Sequence, residues 1–121
     1  MNAYDRDRLA ELFGDDPAIL AEIEREFLDT ARDAAREIAG TDDAVTIARA
    51  AHRLKGASGM VGAASLQRIA EAIERDATAG DLSGVRRMQE PLHFAVVRVA
   101  EQAKLDAGPS GHLPDRGRPG L

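Results

Sequence analysis

Residues 51–63 read AHRLKGASGMVGA, a run that sets one histidine, His52, among glycine, alanine and cationic side chains. Imidazole is largely neutral at physiological pH and then carries a free ring-nitrogen lone pair, so the chemistry on offer is nucleophilic. Helical rotation of about 100° per residue separates two faces of this run. Ile47, Ala50, Ala51, Leu54, Ala57, Ser58 and Val61 fall opposite His52 and form the stripe that a core would cover. Val45, Ala48, Gly56 and Gly59 share the side of the histidine, with Arg49 and Lys55 at about 60° to either side of it. The ring is therefore expected to face outward, above small residues and between two cations.

Gly56 is the most specific residue of the run. A glycine inside a helix costs about 1 kcal/mol relative to alanine. Helical side chains lean toward the N-terminus, so a side chain at position 56 would crowd the imidazole one turn before it. Its absence leaves space for another molecule to come close, and Gly59 repeats the arrangement. Gly62 is the expected C-cap. Glycines that merely end a helix account for Gly62 but not for Gly56, which lies directly against the histidine.

These residues resemble the signature of the histidine-containing phosphotransfer (Hpt) domain family. His52 is followed by Leu54, Lys55 and Gly56, then by the small or hydroxyl pair Ala57–Ser58 and the ending Val61–Gly62–Ala63. Ala57 departs from the pattern, since many members carry serine there. The resemblance extends through helical spacing from about Asp16 to Leu105. It implies reversible transfer of a phosphoryl group between His52 and an aspartate of a response-regulator receiver domain, with a hybrid histidine kinase as the other partner. It also implies that Mg²⁺ sits in the receiver's acidic pocket, and that this chain binds no cofactor or metal of its own. Lys55 is the first expected phosphate neighbour, because the family lysine occupies that slot, and Arg49 is the second. Val45, Ala48, Gly56, Gly59 and Met60 form the expected docking strip, with Arg53 in its charged rim.

Arg49, Arg53 and Lys55 are expected to stabilise the dianion after phosphorylation. The sequence holds no Walker-type loop, no histidine pair at metal-ligand spacing and no convincing carboxylate cluster around His52. The phosphoryl group must then come from a partner. In the dimerisation domain of a sensor kinase an acidic residue usually follows the histidine, whereas here it is Arg53. The chain is thus expected to be a carrier and not a self-contained enzyme. The alternative is an Hpt-fold interaction module that binds a receiver or other partner without transfer.

The elements that must position His52 are helices. Aromatic residues make up 3% of the 121-residue chain, cysteine is absent, and the net charge of −5 argues against nucleic acid as the main partner. No apolar run approaches the roughly 18 residues of a membrane span, and Met1–Arg8 lacks a signal peptide's apolar segment. The cytoplasm is the default expectation. The spacing predicts a short capping helix over Tyr4–Phe13, with Leu9, Leu12 and Phe13 on one side. A second helix is capped by Asp16, opens at Pro17 and runs to about Ala39. A third starts at Thr41 or Asp42 and ends near Gly62, and a fourth covers Ala64–Ala79. The last covers Leu82–Leu105, with a kink or break expected at Pro91. The predicted class is all-α: an up-down antiparallel four-helix bundle over residues 1–107, working as a monomer. Residues 108–121 are rich in glycine and proline and are expected to form a disordered tail. His93, Arg68 and Arg86–Arg87 read as ordinary surface, as does the acidic line Asp29, Asp33 and Glu37, and His112 has no visible role.

Overall fold

Aspartates open four of the helices, and three of them cap the first turn with the side chain. Asp5 accepts from the Arg8 N–H (3.1 Å), Asp16 from Ala18 (2.9 Å) and Asp81 from Gly84 (2.9 Å), each satisfying a donor that the first turn leaves free. The computed structural model describes residues 2–107, so the expected tail and His112 lie outside the described residues. Within them the chain is all-α, with six helices and not five: α1 (Arg6–Phe13), α2 (Pro17–Ala39), α3 (Ala44–Met60), α4 (Ala64–Thr78), α5 (Leu82–Arg87) and α6 (Gln89–Ala107).

The extra helix comes from Pro91. Its ring would clash with the carbonyl four residues back, and it has no N–H to give. The chain therefore breaks at Met88, ahead of the expected position, and restarts so that Pro91 falls in the first turn of α6, where no donor is needed. The other glycine stops follow the spacing. After α3, Gly62 takes φ +70°, Ala63 N–H bonds to Ser58 O (2.8 Å) and Gly62 N–H to Gly59 O (3.3 Å). That pair of reversed bonds is a Schellman ending, and it turns the chain tightly into α4.

The core is small-residue aliphatic. Leu20, Phe27, Ala31, Ala34 and Ile38 of α2 meet Ile47, Ala50, Ala51 and Leu54 of α3, with Leu66, Ala70 and Ile73 of α4 and Leu92, Val96 and Val99 of α6. Among the four long helices the packing pairs run α2–α3, α3–α4, α4–α6 and α6–α2, and α5 packs on α4. The expected apolar side of α1 holds only in part. Leu9 is buried, but Leu12 and Phe13 are 55% and 42% exposed. Tyr4 is buried in the core instead, edge-on to Phe27 at 6.2 Å, in a bent lead-in, and α1 starts two residues late.

Candidate functional site

The α3 stripe opposite His52 is buried as its spacing requires: Ile47, Ala50, Ala51, Leu54, Ser58 and Val61 are covered and Ala57 is half-covered. Burying that stripe turns His52 outward, and its side chain is 70% exposed. The ring lies in a shallow groove between α3 and α4, with Val45, Ala48 and Arg49 on one bank and Glu74, Ala77 and Thr78 on the other.

Glu74 is the residue that sequence reasoning missed. Its Oε2 lies 2.8 Å from Nδ1 of His52, and its Oε1 lies 2.8 Å from Nζ of Lys55. The sequence offers no carboxylate cluster around His52 and no sign of this single carboxylate, and the reason is tertiary. Glu74 stands 22 residues away in sequence and is brought in by the antiparallel return of α4. The hydrogen bond from Lys55, with that from His52 behind it, holds the Glu74 carboxyl below the usual carboxylate range. The same contact holds the Lys55 ammonium above its ordinary value. An ionised carboxylate can only accept, so Nδ1 is the donor in this contact, and in the neutral ring the lone pair then lies on Nε2.

The remaining predicted residues divide by what surrounds them. Val45 and Met60 are exposed at 57% and 49%, and Ala48 is half-buried on the histidine side. Gly56 is bare: a Cβ built there would meet nothing within 4 Å. Gly59 is different, because a Cβ there would lie 2.9 Å from the Gln67 amide nitrogen. Part of the space at Gly59 is therefore taken by the end of the Gln67 side chain of α4. Arg53, expected in the docking rim, is half-exposed and pairs with Glu37 of α2 (2.9 Å). Arg49 lines the groove beside the ring. Ser58 points inward, its hydroxyl buried without a partner, so it offers nothing to a group on His52.

The chain is an all-helical domain that holds an exposed imidazole between two helices, with Nδ1 against a carboxylate. The family model of the Hpt domain matches residues 8–104, and the chain belongs to that family. Membership brings histidine phosphotransfer in two-component signalling, as a carrier and not as an autonomous enzyme, among receiver domains and histidine kinases. Comparison with curated proteins and with solved structures returns no match. Among the described residues, no helix is long and apolar enough to cross a membrane.

Proposed function

We propose that this chain is a phosphorelay carrier in which His52 accepts a phosphoryl group from a receiver aspartate and passes it to another receiver aspartate. The observation that carries the reading is the Glu74–Nδ1 contact on an exposed ring. With the proton already on Nδ1, the Nε2 lone pair can attack phosphorus without first losing a proton. The P–O bond to the aspartyl carboxylate breaks as the P–N bond forms, and the aspartate leaves as carboxylate. Positive charge that builds on the ring is faced by Glu74, and Lys55 and Arg49 are the cations nearest the arriving dianion. Phosphoryl transfer rests mainly on positioning and charge neutralisation, and Mg²⁺ for that purpose belongs to the receiver.

The docking strip is Val45, Ala48, Gly56 and Met60, small or apolar and accessible. Residues 1–107 act as one Hpt unit, an up-down bundle of the four long helices, monomeric and cytoplasmic. The short α3–α4 turn and the closed sequence of packing pairs support that topology. Incubation with a phosphorylated receiver tests the assignment. The expected result is an acid-labile, base-stable label on the wild-type chain that is absent from His52→Gln. A label that persists in that variant overturns it.

A further inference from the structure

A second groove, of about 1100 Å³, runs between α2 and α6 and shares no residue with the groove that holds His52. Its floor is apolar and largely small-residue, with Ala21, Leu28, Ala35, Leu92, Val96 and Ala100. Its rim is cationic. Arg25, Arg32 and Arg36 follow one another at spacings that align them along α2, and Lys104 faces them from α6. Arg36 is held by Asp33, but Arg25, Arg32 and Lys104 have no ion-pair partner among the described residues. The two carboxylates in the lining are Glu24, already engaged by Tyr4 and Arg6, and Glu101. A chain of net charge −5 has thus gathered unpaired positive charge along one apolar cleft.

We propose that the α2–α6 groove docks an acidic amphipathic helix of a partner protein. A cleft between two helices accepts the apolar face of a third, anchored at positions i, i+3, i+4 and i+7. The alanines on the floor allow close backbone approach, and the arginine line meets the partner's carboxylates. Charge selects this occupant over the other two available. A second copy, docked isologously, would lay the arginine line against its own image. The chain's own segment 108–121 sets Arg116 and Arg118 against Asp115 and is not acidic. Because the two grooves are separate, a partner seated here leaves His52 free. The inference does not rest on the phosphotransfer reading.

The test uses the full chain and a fluorescein-labelled peptide of about 18 residues, long enough for marginal helix formation. The peptide carries leucine at the anchor spacing and glutamate elsewhere. Anisotropy should show saturable binding that weakens with salt, by roughly tenfold or more in Arg32→Glu and Arg25→Glu and not at all in His52→Gln. Amide NMR shifts should change along α2 and α6 and not around His52. A peptide with lysine for glutamate should bind at least about tenfold more weakly. The proposal falls if the glutamate peptide shows no saturable binding, if both peptides bind alike, or if the shifts gather at His52. It falls equally if sedimentation shows a dimer closed through these helices. Deletion of residues 108–121 that by itself moves the α2–α6 amides would assign the groove to the chain's own end and overturn it too.

Discussion

His52 depends on one carboxylate for its tautomer, and that dependence can be measured. Glu74→Gln removes the charge that fixes Nδ1–H while keeping a similar shape. Long-range ¹H–¹⁵N correlation spectra should report mainly the Nδ1–H form in the wild-type chain and a loss of that preference in the variant. Transfer from a receiver should slow by about tenfold, the scale on which removing a partner that orients a ligating histidine acts. The helical circular dichroism should stay unchanged, because Glu74 is only half-buried and lies at the rim of the groove, outside the apolar core. A wild-type spectrum dominated by Nε2–H would sink the tautomer argument. The glycines give a second prediction. Nothing stands within 4 Å of a Cβ at Gly56, so Gly56→Ala should stabilise the chain by about 0.5–1 kcal/mol in denaturant titrations. Gly56→Glu should fold and yet block transfer. Gly59→Ala should gain less than Gly56→Ala, since Gln67 must move aside. His52, its bare strip and the buried stripe behind it were legible from helical rotation alone, because those relations are local. Glu74 was not, for rotation says nothing about the facing helix. The signal that could have found it is the α3–α4 turn: reflected about Ala63, half of the 22-residue separation on either side pairs position 52 with 74.

Between elements, polar side chains hold what the thin apolar core leaves open. Arg86 was expected as solvated surface, yet it donates to Ile38 O (3.0 Å), Thr41 O (2.6 Å) and Asp42 Oδ1 (2.6 Å). It thereby satisfies carbonyls that the end of α2 leaves unpaired and ties that end to α5. Sequence spacing places a basic residue in the last turn of its own helix but does not reveal that it serves another. Arg86→Ala should destabilise the chain by about 1–3 kcal/mol, the range for charge-assisted bonds to carbonyls left without a partner. Arg86→Lys should recover only part of that loss, because an ammonium lacks the planar fork that spans three acceptors. Equal midpoints for wild type and Arg86→Ala in urea would show that water replaces the clamp at no cost. The α5–α6 break has the opposite history. Pro91 announced it, and only its position shifted to Met88, since a proline is best housed in a first turn, after the break and not at it.

At the scale of the whole molecule, the N-terminal lead-in closes one end of the structure. Asp5 N–H bonds to Val61 O at the α3–α4 turn (2.9 Å), while Ala3 and Tyr4 N–H reach Gln102 Oε1 on α6 (2.6 and 3.1 Å). The Tyr4 hydroxyl meets Glu24 of α2 and Asp106 of α6. One phenolic proton cannot serve two carboxylates, so the cluster closes best with a further proton held between Glu24 and Asp106. Burial, reinforced by Asp106, pushes the Glu24 carboxyl up to about 7 against the opposing pull of Tyr4 and Arg6. Because the folded value lies above the unfolded one, the folded chain binds more protons between about pH 4.5 and pH 7. The stabilisation is complete below that window and declines as pH rises through it. Unfolding free energy should therefore fall by on the order of 1–3 kcal/mol from pH 5 to pH 8, a slope opposite to that of a salt-bridged carboxylate. Glu24→Gln, which keeps the shape without the titration, should flatten the curve and leave the chain more stable than wild type at pH 8. A wild-type curve that rises through the same window would mean that Arg6 dominates at Glu24 and that the cluster is held together as an ion pair.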